Sequence, residues 1–150
     1  MLIQDVQASD ERELEEMMIY VINTSVRADE TEKLAVVQSV LKNLRLSLDN
    51  PQECVHLKCV RDATIVGVIL VRNFWNLCTL FVDPKWHGEG IGRGLMVEAI
   101  GRCASKEARS YVRVNSSANA VGFYKAMGFE VLDDQPRRGS STPMEFVLRV

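Results

Sequence analysis

The sequence predicts one α/β (α+β) domain over residues 1–150, with a mixed central sheet of about seven strands and helices on both faces. Three observations support this prediction. Apolar residues recur at three- and four-residue steps in some segments and at two-residue steps in others, which indicates amphipathic helices among strands. The 150 residues, 47% of them apolar, are enough to bury one core. The elements follow the order β-α-α-β-β-β-α-β-α-β-β.

A strand and two helices come first. Residues 1–6 form the strand, and Asp10 with Glu13 marks an acidic helix start. Residues 23–30 separate the helices, and Asn50-Pro51 ends the second. The apolar face of the first helix holds Leu14, Met17, Met18, Val21 and Ile22, and that of the second holds Leu34, Val37, Leu41, Leu44 and Leu48.

Three strands follow. Residues 53–60 alternate between apolar and polar, and Arg61-Asp62-Ala63 forms a turn. Residues 65–71 are nearly all apolar, which predicts a central strand, and residues 77–82 form a third strand that leads into a glycine-rich loop.

The last third of the chain starts with a helix that packs through Ile91, Leu95, Ala99, Ile100 and Cys103. Residues 111–114 then form a strand, and residues 117–127 form a helix stopped by Gly128. Strands at 129–132 and 144–150 flank a polar loop. We expect the strands before and after the glycine-loop helix to be parallel neighbours.

Composition excludes several classes of function. A net charge of −2 disfavours nucleic acid or an anionic membrane as a partner. The four cysteines show no C-x-x-C spacing and have only two histidines as possible co-ligands, so we expect no metal site. Apolar runs near the N-terminus are too short and too charged for a signal peptide or a membrane span, which favours a cytoplasmic protein.

The glycine-rich loop at residues 87–92 is suited to a diphosphate. Its glycines lack the Cβ that would keep an anion from the main chain, and the following helix contributes unpaired N–H groups and a positive dipole end. The spacing fails the dinucleotide pattern G-x-G-x-x-G in both frames, because Arg93 and Leu95 occupy the third glycine position. No Gly-Lys-Ser/Thr tripeptide is present, so a P-loop is also excluded.

This loop resembles the [Q/R]-x-x-G-x-[G/A] pyrophosphate loop of the GCN5-related N-acetyltransferase (GNAT) superfamily, with His87 where Gln or Arg is usual. The V-x-P strand end of that family corresponds to Val82-Asp83-Pro84. Residues 114–129 are similar to its second signature, a capped helix with Phe123-Tyr124 and a closing Gly-Phe. The resemblance covers roughly residues 53–132. It implies a mostly antiparallel sheet and acetyl-coenzyme A as co-substrate.

The resemblance also implies the site. A backbone N–H of the strand before the loop stabilises the carbonyl oxygen, Tyr124 is the general acid toward the leaving thiolate, and either Ser117 or Asn119 contacts the cofactor. His87 can donate a ring N–H to a phosphate. The implied cofactor-binding residues are Leu80, Phe81, Val82, His87, Gly88, Glu89, Gly90, Ile91, Gly92, Arg93, Asn115, Ser117, Asn119 and Tyr124.

The general base is unassigned, because residues 76–80 contain no carboxylate where relatives often have a Glu. Candidates are Asp83, His56, and Asp133 or Asp134, and a water relay would replace them all.

We expect the acceptor between residues 23–31 and 133–143, with Arg137 and Arg138 as anion-binding candidates and Trp75 at its border. The acceptor itself is unidentified, and a homodimer is left open. The resemblance implies N-acetylation of a primary amine, of a small molecule or a protein, by direct attack in a ternary complex. The alternative is a catalytically weak acyl-coenzyme A sensor or interaction module.

Overall fold

The structure is a computed structural model that describes residues 1–134, 139 and 141–148. One seven-stranded sheet has the strand order β1-β2-β3-β4-β5-β7-β6. The strands are β1 Leu2–Asp5, β2 Cys54–Arg61, β3 Thr64–Arg72, β4 Asn76–Val82, β5 Tyr111–Ser116, β6 Glu130–Val131 and β7 Thr142–Val147. The α-helices are α1 Glu11–Ser25, α2 Glu30–Asp49, α3 Ile91–Lys106 and α4 Val121–Ala126.

The sheet is antiparallel except where β4 meets β5, so the predicted mixed, mostly antiparallel sheet is confirmed. The parallel pairing of β4 with β5 extends over two residue pairs, Asn76 with Arg113 and Leu77 with Val114. Beyond these pairs the two strands separate. A gap therefore opens in the middle of the sheet, at the C-terminal ends of both strands.

A β-bulge in β4 lies at the start of this gap. Leu70 of β3 is opposite Thr79 and the next residue, Val71, is opposite Leu77, so Cys78 is the extra residue of β4. A bulge bends its strand and increases the local twist. The bulge therefore directs the rest of β4 away from β5.

Helices cover both faces of the sheet, as predicted. One core lies between the sheet and helices α3 and α4, and includes Leu57, Ile69 and Leu95. A second core lies between the sheet and helices α1 and α2, and includes Leu14, Leu44 and Val68. Successive residues of a strand thus face opposite sides of the sheet and contribute to two separate apolar layers.

Glycine at position 67 allows α3 to lie close to β3. A Cβ at Gly67 would be 2.9 Å from Ile91 Cγ2 and 3.1 Å from Leu95 Cδ1, which is closer than packed carbon atoms approach. Because Ile91 is the first residue of α3, this contact fixes the start of the helix against the sheet.

Several predicted boundaries differ from the structure. Helix α1 continues to Ser25, so residues 26–29 separate α1 from α2. The predicted helix at residues 117–127 is a 3₁₀ turn, Ala118–Ala120, followed by α4. Strand β7 begins at Thr142, two residues before the predicted start, and residues 149–150 of the predicted strand lie outside the described residues. Gly128 has a φ of 104°, in agreement with the predicted helix stop.

The predicted acidic start of α1 is confirmed, since Asp10 is its N-cap residue and Glu13 lies in its first turn, but both carboxylates bond outside the helix. The Asp10 carboxylate accepts the backbone N–H of Gln7 at 2.8 Å and pairs with Lys58 Nζ at 2.7 Å. Glu13 does not cap its own helix and instead accepts the backbone N–H of Ile65 at 2.7 Å. The bonds to Lys58 and Ile65 tie the start of α1 to β2 and β3, and such long-range partners cannot be read from a local sequence pattern.

Candidate active site

A cleft of about 640 Å³ occupies the gap between β4 and β5. Leu80 and Phe81 line it from β4, and Asn115 lines it from the end of β5. Ser117, Asn119 and Tyr124 line it from the segment that follows β5. The structure thus brings together six of the residues that the sequence predicted around the cofactor.

The edge of β4 that faces the cleft has no strand partner beyond Leu77. The Asp83 N–H donates to Val66 O of β3 at 2.8 Å. Since backbone groups alternate sides along a strand, the N–H groups of Leu80 and Val82 point the opposite way, toward the opening. Phe81 is paired with Val68 and directs its backbone groups toward β3. Of the three predicted donors, two therefore face the cleft.

The glycine loop lies at the C-terminal end of β4 and leads into α3. Gly88 and Gly90 have φ values of 82° and 77°, a conformation that glycine adopts without a steric penalty. Nothing lies within 4 Å of a Cβ built on either residue, so both border open space. The Gly94 N–H donates to Gly90 O at 2.9 Å, which leaves the N–H groups of residues 91–93 without an intrahelical acceptor.

Two predicted loop residues have structural contacts that limit their roles. Ile91 is 1% exposed and its side chain belongs to the core, so only its backbone N–H is available to a ligand. His87 Nε2 lies 3.0 Å from Val82 O, and because a carbonyl accepts, Nε2 carries the proton. A second ring N–H for a phosphate then exists only in the doubly protonated imidazolium.

Tyr124 is held in the cleft by aromatic packing. Its ring makes edge contacts with Phe123 and Phe129, with centroid distances of 5.4 Å and 5.3 Å. The side chain is 6% exposed, and this burial raises the pKa of the phenol to about 12. The hydroxyl is therefore protonated at any physiological pH and acts as a hydrogen-bond donor.

The opposite wall of the cleft comes from α2 and the segment before it. Arg27, Glu32, Val36 and Ser39 line this wall. Residues 23–31 were predicted to border the acceptor, and Val26, Arg27 and Ala28 of this range line the cleft, but Glu32 lies one residue beyond it. A hydrogen bond with Asp29, and then its charge, raises the pKa of the Glu32 carboxyl. Sequence reasoning missed Glu32, whose only signal was its place in the first turn of α2.

The four residues considered as the general base, His56, Asp83, Asp133 and Asp134, are not among those that line the cleft. His56 is 9% exposed on β2, two strands from the opening, and burial lowers its pKa to about 4, partly opposed by the charge of Asp10. The Asp83 carboxylate accepts the N–H of Lys85 at 2.9 Å. Asp133 and Asp134 are exposed in a turn, and Arg137 and Arg138 lie outside the described residues.

Trp75 does not border the acceptor wall, contrary to the prediction. It precedes β4, at the opposite end of that strand from the cleft, and its ring lies 6.0 Å from that of Tyr111. Trp86 is partly buried against the core beside the glycine loop. Within the described part of the chain, no group of three or more His, Cys, Asp or Glu side chains could hold a metal, and no helix there is long and apolar enough to cross a membrane.

Comparisons with known proteins agree with this geometry. Residues 10–148 match the family described as Acetyltransferase (GNAT) domain. The structure is similar to that of a PaiA N-acetyltransferase from Thermoplasma acidophilum in complex with coenzyme A, with a TM-score of 0.78 and 21% identity over 97% of this chain and 98% of the other. A search of curated proteins finds no match.

Two further solved structures have the same fold. A GNAT acetyltransferase from Staphylococcus aureus Mu50 has a TM-score of 0.77 and 18% identity, over 99% of each chain. The ribosomal-protein-alanine N-acetyltransferase from Brucella melitensis has a TM-score of 0.71 and 16% identity, over 99% of this chain and 100% of the other.

The structure thus combines a splayed sheet with a glycine-rich loop at one end of the gap. Since the family match covers most of the chain, this chain belongs to the GNAT acetyltransferase family. It is accordingly an N-acetyltransferase, and acetyl-coenzyme A is its co-substrate.

Proposed function

We propose that residues 1–150 form one catalytic domain that acetylates a primary amine, carried by a small molecule or a protein, in a ternary complex. The observation that supports this most strongly is the continuity of the cleft. It joins the β4 edge and Tyr124 to the α2 wall, so that two ligands can meet within it. Acetyl-coenzyme A supplies the activated acyl group as a thioester.

The residues of the glycine loop fit a diphosphate. Backbone N–H groups of residues 91–93 at the start of α3, beside the open space at Gly88 and Gly90, would hold the phosphates. The backbone N–H groups of Leu80 and Val82 would donate to the acyl oxygen as it gains negative charge. Asn115, Ser117 and Asn119 would contact the cofactor from the β5 side.

We propose that Tyr124 Oη donates a hydrogen bond to the leaving sulfur. A phenol with a pKa near 12 is a weak acid toward an ordinary thiolate, whose conjugate acid has a pKa of about 8.5. Burial raises thiol pKa values as well, as Cys103 of this chain shows with a value of about 12. A thiol that is desolvated in the cleft would likewise have a raised pKa, which narrows the difference from the phenol and favours proton transfer from Tyr124.

For the amine side we propose Glu32. Among the described residues that line the cleft it is the one carboxylate. It would hold the incoming ammonium group and accept its proton, directly or through water. The raised pKa of the Glu32 carboxyl is consistent with a base, since a carboxylate of higher pKa is a stronger proton acceptor.

The test is a panel of amines with acetyl-coenzyme A and a thiol-detecting reagent. At least one amine should release coenzyme A well above background, and Glu32→Gln should lower that rate about tenfold or more. Glu30→Gln, two positions before Glu32 in the same helical turn and outside the lining of the cleft, is the matched control. Tight coenzyme A binding without release from any amine would instead indicate the sensor alternative.

We also propose a cytoplasmic location, which the four free cysteines support because such thiols persist in reducing compartments. Whether the protein forms a homodimer is to be measured by light scattering at several concentrations.

A further inference from the structure

Arg61 contacts the glycine loop from outside the cleft. It is the last residue of β2, before a turn in which Asp62 and Ala63 have φ values of 52° and 60°. Its guanidinium carbon lies 5.3 Å from the ring centroid of Trp86. Its Nη1 atom lies 3.9 Å from Glu89 Oε1. Arg61 therefore touches the segment just before the loop and the one acidic side chain within it.

Glu89 poses an electrostatic problem for an anion-binding loop. Its carboxylate is attached between Gly88 and Gly90, so an unpaired charge there would repel a diphosphate. Arg61 is its ion-pair partner among the described residues. The Arg61 side chain is 29% exposed and that of Glu89 is 51% exposed, so solvent only partly screens the pair.

The glycines of the loop also raise the entropic cost of ordering it. Gly88 and Gly90 flank Glu89, and glycine loses more backbone entropy on ordering than any other residue. Arg61 restrains residues 86–89 at both ends, through the cation–π contact with Trp86 and the ion pair with Glu89. A loop that is ordered in advance binds its ligand with a smaller entropic cost.

We propose that Arg61 is a positioning residue for the co-substrate: it turns Glu89 away from the phosphate site and fixes the loop against Trp86. This inference rests on the proposed role of the glycine loop. Arg61 itself need not touch the ligand, since its effect passes through Trp86 and Glu89.

The first test measures coenzyme A affinity by calorimetry. Arg61→Gln should weaken binding about fivefold, as expected for loss of a partly exposed ion pair. Glu89→Gln should tighten it, and Arg61→Gln should weaken binding less in the Glu89→Gln background than in the unsubstituted protein, because only the Trp86 contact is then lost. Affinity for pantetheine, which lacks the diphosphate, should change in none of them. Arg12→Gln, which removes the same charge from the surface of α1, is the control.

The second test needs no ligand. The chain has two tryptophans, so a Trp75→Phe background leaves Trp86 as the only indole. In that background Arg61→Gln should increase acrylamide quenching of Trp86 by about a factor of two, because it uncovers the ring, whereas Arg12→Gln should not. Arg61→Lys keeps the charge but loses the guanidinium over the ring, so its Trp86 quenching should fall between that of Arg61→Gln and that of the Trp75→Phe background.

The outcomes separate the two proposals. If the unsubstituted protein fails to bind coenzyme A, the role of the glycine loop is wrong, while the Trp86 quenching still reports on the Arg61 contact. If Arg61→Gln folds and shows unchanged quenching and unchanged affinity, the positioning role is wrong. If Arg61→Gln does not fold, the same decision passes to Arg61→Lys and Glu89→Gln, whose unchanged affinities would equally overturn it.

Discussion

Tyr124 combines two properties, a packed ring and a protonated hydroxyl at the cleft. Replacement by Phe removes only the hydroxyl and preserves the edge contacts with Phe123 and Phe129. We expect Tyr124→Phe to lower kcat about 100-fold, in the range of a lost general acid, with little change in coenzyme A affinity. Steady-state kinetics and calorimetry measure the two effects. A kcat equal to that of the unsubstituted enzyme would remove Tyr124 from the mechanism.

His56 makes stability depend on pH. Its pKa is about 4 in the folded protein and 6.5 when exposed, so between these values the unfolded chain binds more protons. Stability should therefore fall as pH decreases from 6.5 toward 4, by about 3 kcal/mol from this residue, and show no His56 contribution above 6.5. Urea unfolding at several pH values measures this.

The variant His56→Leu should remove that contribution, so the difference in unfolding free energy from the unsubstituted protein should change with pH only below about 6.5. His87→Asn, which removes the other histidine of the chain at an exposed position, is the comparison variant. If the unfolding free energies of His56→Leu and of the unsubstituted protein changed with pH in the same way, His56 would not be a buried, neutral histidine in the folded state.

At the scale of elements, the glycine loop depends on backbone conformation more than on space. Because Gly90 has a φ of 77° and no neighbour within 4 Å of a Cβ, Gly90→Ala costs only backbone strain of about 1 kcal/mol. Gly90→Asp adds charge at the phosphate site and should weaken coenzyme A binding more than Gly90→Ala does. Gly101→Asp places the same charge in the exposed part of α3 as a control. Equal affinities for the two Asp variants would refute the loop assignment.

The contact between α3 and β3 makes a separate prediction. Gly67→Ala should lower the free energy of unfolding by about 1–3 kcal/mol, because its Cβ would overlap Ile91 and Leu95. Gly101→Ala, in open space within α3, should instead be neutral or stabilising. Denaturation in urea measures both, and a stabilised Gly67→Ala would show that α3 can move away from the sheet without cost.

Elements with a regular apolar period could be predicted from sequence, and those set by tertiary contacts could not. The pattern at Leu14 to Ile22 and the continuous run at residues 65–71 identified a helix and a buried strand, because burial on one face or both leaves that signature. The partner of Glu13, the bulge at Cys78 and the position of Glu32 in the cleft depend on distant segments. Local patterns carry no information on them.

At the scale of the whole molecule, two half-sheets meet at only two residue pairs between β4 and β5. A ligand that fills the gap should bind the folded state alone and stabilise it. At a coenzyme A concentration 100 times the Kd, the gain is about 2.7 kcal/mol, or a rise in Tm of roughly 5–10 °C for a domain of this size. Scanning calorimetry measures it, and pantetheine should give a smaller shift.

The bulge at Cys78 has a consequence for how the gap is encoded. One additional residue in β4, relative to β3, is what offsets the strand, and any side chain can occupy the extra position. The opening between β4 and β5 thus depends on the presence of one residue between Leu77 and Thr79, and it does not depend on which residue this is. Substitutions of Cys78 should preserve it. Deletion of Cys78 would instead place Leu77 next to Thr79, opposite Val71 and Leu70, so that the pairing with β3 becomes regular, residues 79–82 keep their faces and the bend away from β5 is lost.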